Sequence, residues 1–519
     1  MRTKMVKNAV GRMVPAEINS IPQTPFMGVG KYKPDGLKAT SPIRSCSDYP
    51  MDGNKVVQSL KDVLQKAGIR NGMTISSHHH FRNGDLVMNQ VFDMCHELGV
   101  RGLRWFPSAT FPCHAHIIDH MKNGTVDLVE GSLNGDIGRF VSYGNMRKTG
   151  ILRSHGGRWQ AVQDGEVHID IAIIAAPTAD TFGNATGDRG PSACGSLGFA
   201  LVDSLYADKV IVVTDNLVPF PCIPWQIQGQ NVDHVVVVDK IGEPDKIVAG
   251  TTAITFSKER LGIAEMTAKF VQAAGIIKEG FSFQAGAGGI SLAFAKYVKE
   301  MMKDAGVKAR FIRGGSTKQL VEMLEEGLTD YILDGQTFDL EGVRSMMDNS
   351  GHVSTSPFTS YNWHGKGNFA SQVDMVVLGA TEVDVNFNAN VVTHSDGLLL
   401  HGIGGWQNCL FSKCTILAIP SIRKNNPIIV DDVTTLVGPG ELIDVVVTER
   451  GIAINPLRDD LIKATKNSDL PIRGINIIKS EIDELIETPA PKPNLSDKVI
   501  SAVKWVDGTL IDSIYKMAR

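Results

Sequence analysis

The sequence predicts an α/β protein made of two tandem, duplicated open α/β domains with mainly parallel sheets. Short, continuous apolar runs alternate with amphipathic helical stretches, a pattern typical of parallel sheets covered by helices. A helix–turn–strand–loop unit occurs twice, starting at Lys66 and at Ala273. The 519 residues exceed what one compact core holds, so at least two domains are expected. With 43% hydrophobic and 21% charged residues, the composition is that of a globular enzyme.

The repeated unit is the strongest argument for duplication. Its first copy reads KAGIRNGMTIS (66–76) and its second AAGIIKEGFSFQ (273–284). Each follows an amphipathic helix and precedes a polar, Gly-containing loop and a further helix, predicted over 86–98 and 290–303. Chance similarity is the alternative, but the shared Ala-Gly-Ile and the following glycine favour a common origin. In open α/β sheets, such loops at the carboxyl ends of strands are where ligands bind.

The remaining strands and the domain limits come from apolar runs and from breaks between them. Strands are predicted at Met73–Ser76, Ile169–Ala175, Lys209–Thr214, Val235–Val238, Phe281–Phe283, Met375–Leu378 and Ile443–Val447. The domain boundary is placed within 229–245, which gives an N-terminal arm (1–52), a first domain (53–235) and a second domain (236–519). The second domain is expected to end in a hairpin over 500–514, with a type I′ turn at Asp507-Gly508, after a Pro-rich linker at 488–493.

The N-terminal arm has many prolines and little periodicity. It is interpreted as an extended segment on its own domain or on a neighbouring subunit, with a disordered tail as the alternative. The seven cysteines form no CxxC pair, which indicates free thiols in a reducing cytoplasm. No apolar run reaches the ~18 residues of a membrane span, and the start is not typical of a signal peptide. The net charge of −4 gives no indication of nucleic-acid binding.

The most informative stretch is TEVDVNFNANVVTHSDGLLLHGIGGWQN (381–408). Closely spaced glycines leave backbone N–H groups uncovered, so Gly402, Gly404 and Gly405 can approach a ligand and direct donors at an oxyanion. A tight turn between two strands is the alternative for a bare GxGG. The whole phrase, however, resembles the C-terminal half of the coenzyme A transferase superfamily, in which a GxGG loop lines the acyl-thioester site.

Further stretches resemble the citrate lyase alpha chain family, and the resemblance extends from about residue 50 to the end. They are SHHHFRNGD (77–85), SHGGR (154–158), GNATG (183–187), ACGSLGFA (193–200), EGFSFQAGAGG (279–289), HSDGLL (394–399) and TERGIAINP (448–456). The resemblance implies domains of the coenzyme A transferase (NagB/RpiA-like) type. One departure is Asn408, where the family is expected to have Asp; it leaves room for a different tricarboxylate or 2-hydroxy acid.

The resemblance also implies an activity. Such a chain exchanges the acetyl group of an acetyl thioester on acyl carrier protein for citrate, giving citryl thioester and acetate. The implied partners are citrate, the acyl carrier protein (gamma) subunit and a citryl lyase (beta) subunit, with homo-oligomerisation expected. No tightly bound cofactor is expected; the thiol belongs to a coenzyme-A-like group of the carrier protein or to coenzyme A itself.

A citrate-like substrate needs cations and N–H donors around its carboxylates. The candidate substrate-binding residues lie in two of the motifs and in the separate stretch 309–317: Ser77, His78, His79, His80, Arg82, His155, Gly156, Gly157, Arg158, Gly314 and Gly315. The alternative interpretations of the histidine triplet are exposed, tag-like surface histidines and a metal site. No metal site is predicted, because no spaced carboxylate or cysteine accompanies it. The candidate thioester-binding residues are Gly286, Gly288, Gly289, Asn390 and Ser395. Asp170, Asp180 and Cys194 are interpreted as structural.

The reaction mechanism is predicted from an absence. Many coenzyme A transferases attack the thioester with a glutamate that lies between a strand and a helix. The corresponding stretch here, 309–317, has Gly314 and Gly315 in that place, and Glu382 is the substitute considered. The expectation is therefore direct transfer in a ternary complex, with the glycines leaving room for a substrate carboxylate. The alternatives are a glutamate-dependent coenzyme A transferase or hydrolase, a citramalate- or malonate-specific homologue, and a non-catalytic tricarboxylate sensor.

Overall fold

Two large sheets form the centre of the protein. In this computed structural model the described residues are 4–32, 43–248, 254–286, 288–486 and 493–518. The strands of the first sheet are β1 (Val56–Val57), β2 (Thr74–Ser77), β3 (Leu103–Pro107), β4 (Val126–Gly131), β5 (Gly150–Leu152), β6 (Ile171–Ala175), β7 (Lys209–Thr214), β8 (His234–Val237), and, from the far end of the chain, β17 (Leu495–Lys504) and β18 (Leu510–Met517). Their order is β18-β17-β5-β4-β3-β2-β6-β7-β8-β1. Only the β17–β18 pair is antiparallel.

The second sheet repeats this order. Its strands are β9 (Ser282–Ala285), β10 (Phe311–Ser316), β11 (Ile332–Thr337), β12 (His352–Ser354), β13 (Met375–Leu378), β14 (Thr415–Ala418), β15 (Val445–Thr448) and β16 (Gly451–Ile454). They are arranged β12-β11-β10-β9-β13-β14-β15-β16, and only β15–β16 is antiparallel. The run β5-β4-β3-β2-β6-β7-β8 thus has the same connectivity as β12-β11-β10-β9-β13-β14-β15.

A small three-stranded sheet beside each large one carries the same repetition. Thr178–Asp180 pairs with Ala185–Thr186 and Leu217–Val218, and Glu382–Asp384 pairs with Ala389–Asn390 and Ile429–Val430. Asp180 and Asp384 begin matching turns: each carboxylate accepts hydrogen bonds from backbone N–H groups two and four residues later and from the amide of the asparagine four residues later. The structural role predicted for Asp180 is confirmed, and Asp384 has the same role.

Helices pack on the sheets. They are α1 (Leu60–Lys66), α2 (Val87–Glu97), α3 (Ile117–Asn123), α4 (Gly135–Ser142), α5 (His155–Gln163), α6 (Gly198–Tyr206), α7 (Lys258–Ala273), α8 (Gly289–Ala305), α9 (Lys318–Glu325), α10 (Leu340–Asp348), α11 (Pro357–Tyr361), α12 (Trp406–Cys409), α13 (Asp459–Thr465) and α14 (Ile475–Leu485). The helices predicted at 86–98, 258–275 and 290–303 are confirmed as α2, α7 and α8. None of the described helices is long and apolar enough to cross a membrane.

The C-terminal hairpin corrects the prediction for the end of the second domain. The hairpin exists, but β17 pairs with β5 in parallel, so it extends the first sheet. Its turn is also not type I′, since Asp507 does not have a positive φ. Gly508 N–H bonds Trp505 O, and Gly508 has φ 89°, which is a type I turn followed by a glycine bulge.

The N-terminal arm packs on its own chain over the described residues 4–32. Asn8 donates to Ile511 O at 2.6 Å, and Phe26 N–H bonds Leu510 O. The Phe26 ring meets the Trp505 indole edge-on, with centroids 5.8 Å apart. Both ends of the chain are therefore held on the first sheet. The predicted linker at 488–493 lies outside the described residues except for Pro493.

Candidate active site

A cavity of 580 Å³ lies between the two large sheets, at the carboxyl ends of their parallel strands. It is lined by the segments that follow β2, β3, β4, β9, β10 and β11, and by the loop 400–405. Arg82 is the one fully charged side chain among its described lining residues, and no Asp or Glu is among them. A concave site with a cation and without competing carboxylates favours an anionic ligand.

Arg82 is held in a constrained position on this wall. It is 7% exposed, and its backbone has φ 52°, a region that a non-glycine residue seldom occupies. The guanidinium lies over the rings of Phe111 and Phe338, at 5.2 and 4.8 Å from their centroids. Burial lowers the pKa of Arg82 to about 10, so the side chain is still cationic at neutral pH. The strained backbone and the two rings direct a positive charge into the cavity.

Two stacked imidazoles form the adjacent wall. The rings of His79 and His155 are 4.9 Å apart and nearly parallel. His79 accepts from the Ser108 hydroxyl at Nδ1 and donates from Nε2 to Gln336 Oε1, at 2.6 and 2.8 Å. Desolvation lowers the pKa of His79 well below its ordinary value and that of His155 to about 3. Both rings are therefore neutral at pH 7. Because both nitrogens of His79 are already hydrogen-bonded, His155 is the ring that can bond a ligand.

The glycine loop closes the cavity from the second domain. The Gly402 N–H donates to Asn134 Oδ1 of the first domain. A Cβ at Gly402 would overlap Ser132, so only glycine fits at position 402 against the first domain. Gly404 has φ 63°, and its carbonyl accepts from His155 N–H at 2.8 Å. Among the described residues, the N–H groups of Gly404 and Gly405 have no hydrogen-bond acceptor. Two uncommitted donors in a cavity-lining loop are what an oxyanion site needs.

The structure corrects the open space predicted at Gly315, while the role of Gly314 stays a prediction. Both line the cavity, but a Cβ at Gly315 would overlap the Phe338 ring, and one at Gly314 would lie 3.1 Å from Gln284. The absent side chain of Gly315 makes room for the Phe338 ring, which in turn packs on Arg82. The space above Gly315 is therefore not open to a substrate carboxylate in this structure.

Several predicted substrate-binding residues lie outside the cavity, because buried interactions occupy them. Arg158 makes a two-pronged ion pair with Asp203, at 2.8 and 2.6 Å, and His78 bonds the same carboxylate at 2.8 Å. His80 donates to Ala175 O, and Ser77 accepts from the Trp105 indole N–H. These four residues stabilise the first domain.

Gly156 and Gly157 act behind the site as the first turn of α5. Gly157 N–H bonds the Ser154 hydroxyl, which caps the helix. Gly156 N–H bonds Asn408 Oδ1 at 3.0 Å, and a Cβ at Gly156 would overlap that amide. Asn408 thus joins the two domains beside His155. An aspartate could accept the same hydrogen bond, so the departure at Asn408 preserves this contact.

The predicted thioester-binding residues do not all lie at one site. Gly286 lines the main cavity, whereas Gly288 and Gly289 line an adjoining cavity of 410 Å³ at the start of α8. The two cavities share Asn134, 400–403 and Trp406, and the second contains Arg260 and Arg423 without any described carboxylate. Asn390 is buried against Glu382 and Thr393, and Ser395 lines neither cavity, so the structure does not bring these two to the site.

Glu382 is engaged elsewhere. It is 2% exposed, lines neither cavity, and accepts hydrogen bonds from Asn390 Nδ2 and from the backbone and hydroxyl of Thr434, at 2.8 to 2.9 Å. Asp170 accepts from Thr74 N–H, which confirms its structural role. Cys194 is buried outside the cavity, and burial raises the pKa of its thiol, so it packs as predicted.

The sequence patterns missed much of the cavity wall, namely Thr110, Phe111, Ser132, Asn134, Gln284, Gln336, Phe338, Tyr361, His401 and Cys409. Most of them lie within a few residues of the carboxyl end of a strand. That rule predicts ligand-binding loops after β2 and β9 and, applied to β3, β4 and β11, also indicates Phe111, Asn134 and Phe338.

Comparison with known proteins supports the resemblance. The family model for the citrate lyase alpha subunit matches residues 53–517. The citrate lyase alpha chain of Haemophilus influenzae is 38% identical over 466 residues, covering 89% of this chain and 93% of the relative.

Solved structures agree on the fold. A Streptococcus mutans chain described as the alpha subunit of citrate lyase, in complex with citrate, superposes with a TM-score of 0.92 and 39% identity, covering 99% of this chain and all of that one. A 4-hydroxybutyrate CoA-transferase from Porphyromonas gingivalis, 16% identical, has a TM-score of 0.54 over 83% of this chain and 98% of its own, which shows the coenzyme A transferase fold alone. The chain belongs to the citrate lyase alpha subunit family.

Proposed function

We propose that this chain exchanges the acetyl group of an acetyl thioester for citrate, giving citryl thioester and acetate. The observation that supports this most is the main cavity: Arg82, neutral imidazoles and a glycine loop line it, and no carboxylate is among its described lining residues. Acidic side chains in the cavity would repel a tricarboxylate, whereas the Arg82 guanidinium attracts one. The citrate in the Streptococcus mutans relative is consistent with the same ligand here.

The substrate would bind with one carboxylate on Arg82. A guanidinium between two aromatic rings keeps its planar fork in one orientation, which suits a carboxylate better than a flexible ammonium would. His155 can offer a ring nitrogen beside Gly404, since Nε2 lies 3.8 Å from where a Cβ of that glycine would stand. The thioester carbonyl would place its oxygen against the Gly404 and Gly405 N–H groups.

We propose direct transfer in a ternary complex. A citrate carboxylate oxygen attacks the acetyl carbonyl, the C–S bond breaks, and the thiolate leaves with the electron pair. The thiolate then attacks the citryl carbonyl of the mixed anhydride, and acetate leaves with the bridging oxygen. No proton or redox partner is consumed. Support comes from the described lining, which offers no Glu or Asp nucleophile, and from Glu382, whose carboxylate is already engaged.

The thioester arm would enter through the adjoining cavity. Gly288 and Gly289 open α8 there, and Arg260 and Arg423 supply positive charge toward a phosphate-bearing arm. The shared wall at Gly402 and Ile403 would bring the sulfur to the main cavity. We propose the prosthetic arm of an acyl carrier protein as the physiological thioester, with coenzyme A as its analogue and no tightly bound cofactor in the transfer. We also propose a citryl lyase partner, self-association and a cytoplasmic location.

An acid panel tests the proposed function. The chain is incubated with acetyl-CoA, or with acetylated carrier protein, and with citrate, citramalate, malonate or acetate, and the new thioester is measured by mass spectrometry. We expect citryl thioester and stoichiometric acetate, with citrate preferred over the other acids. Transfer to citramalate or malonate in preference to citrate would reassign the substrate. Citrate binding without transfer from either thioester would indicate a sensor and reject the proposal.

A further inference from the structure

We propose a zinc site on the outer face of the first domain, formed by Asp93, His116 and His120. Asp93 lies on α2, His120 on α3, and His116 immediately precedes α3. The two imidazoles are four residues apart, so they project from the same side of the helix. Their Nε2 atoms both lie against Asp93 Oδ1, at 2.8 and 2.9 Å. None of the three residues lines either cavity, so zinc binding can be measured separately from the transfer reaction.

The donor set fits Zn²⁺. The three ligand atoms lie within 4.8 Å of one another. A tetrahedral zinc with bonds of about 2.0–2.2 Å separates its ligand atoms by roughly 3.3 Å, so small side-chain rotations would admit the ion. Two imidazoles and one carboxylate suit zinc rather than calcium or magnesium, which prefer oxygen ligands. A water would complete four-coordination.

The surroundings resemble the outer shell of a metal site. His116 Nδ1 lies 3.6 Å from Asp119 Oδ2, which is too long for a hydrogen bond, but a small rotation would let this carboxylate accept from the ring and orient it. The side chains of His116 and Asp93 are 48% and 42% exposed, whereas that of His120 is 4% exposed, so the cluster has a fixed inner ligand and an open outer side. An ion can therefore enter without opening the fold.

A second cluster in the described chain provides the comparison. His168, Asp170 and Asp208 also lie within ligand distance of one another. Asp170, however, accepts the Thr74 N–H at 2.7 Å at the start of β2, and the set has one imidazole instead of two. Its affinity for zinc should be much lower, which makes His168 a matched control for His116.

The position of the cluster suggests what zinc would do. α2 follows the segment with Arg82, and α3 follows the segment with Phe111, so an ion joining the two helices would stiffen the wall on which Arg82 and Phe111 meet. Because zinc would bind the folded chain and not the unfolded one, it should also raise the melting temperature.

The test is a Zn²⁺ titration of chelator-treated full-length protein in competition with a chromophoric chelator. We expect one equivalent of Zn²⁺ to bind wild type and His168→Gln alike. His116→Gln should weaken Zn²⁺ binding by on the order of 100-fold or more. Even the loss of a residue that only hydrogen-bonds a metal ligand lowers metal affinity by roughly 10–100-fold. Co²⁺ should give tetrahedral d–d bands in wild type and in His168→Gln, but not in His116→Gln. No stoichiometric binding, equal affinity in His116→Gln, or a cobalt–thiolate charge-transfer band would overturn the site.

Discussion

Arg82→Ala should lower the affinity for citrate by on the order of 100-fold, because a buried, hydrogen-bonded charge pair is worth roughly 2–5 kcal/mol when one partner is truncated. Arg82→Lys keeps the charge but not the planar fork or its packing between Phe111 and Phe338, so its affinity should also fall, by less. Calorimetry with citrate and the apparent KM for citrate measure both effects.

Arg423→Ala is the matched control for this prediction. Arg423 is also a partly buried cation, but it lines the adjoining cavity, where the thioester arm is proposed to enter. Its loss should raise the KM for the thioester and leave citrate binding within a few-fold of wild type. If Arg82→Ala binds citrate as wild type does, Arg82 does not hold the acid and the assignment of the main cavity fails.

Gly404→Val should reduce turnover by a hundredfold or more while citrate binding stays near normal. Valine at φ 63° is strained, so the backbone would rotate and move the N–H groups of residues 404 and 405 away from the thioester oxygen. Losing one oxyanion donor costs about 2.7–4 kcal/mol of transition-state stabilisation. Single-turnover rates at saturating substrates separate this effect from binding.

A second glycine controls for the backbone strain. Gly306 has φ 62°, ends α8, and has no atom within 4 Å of an added Cβ. Gly306→Val should lose as much thermal stability as Gly404→Val yet keep its turnover. Should Gly404→Val retain wild-type turnover, or should both variants lose activity equally, the glycine loop would have no specific role in the transfer.

Individual helices and strands could be predicted because the sequence patterns that indicate them lie within the elements themselves. β7 and β13 were predicted with their observed bounds, and α2 to within one residue at each end, since apolar runs and helical periodicity report burial directly. The duplication was visible because the same turn chemistry occurs twice. His79, Arg82, His155 and the glycine loop were found because their motifs are unusual in composition, and the structure brings them together.

What could not be predicted depends on distant partners. Nothing near Leu495 indicates that β17 will pair with β5 rather than extend the second sheet. Arg158 and Arg82 are equivalent as sequence features, but Asp203 neutralises the first and two rings enclose the second. The missing side chain of Gly315 likewise predicted open space. The Phe338 ring fills that space, and only the structure shows its position.

Oxygen transfer in a single turnover tests direct attack by citrate most directly. Enzyme in excess over acetyl thioester is mixed with citrate labelled with ¹⁸O in its carboxylates, and the acetate is analysed by mass spectrometry. In direct transfer the bridging oxygen of the mixed anhydride comes from citrate and leaves with acetate, so the account predicts one ¹⁸O in the first acetate formed. Unlabelled acetate, with ¹⁸O found instead in a glutamate of the protein, would contradict it and show a covalent intermediate.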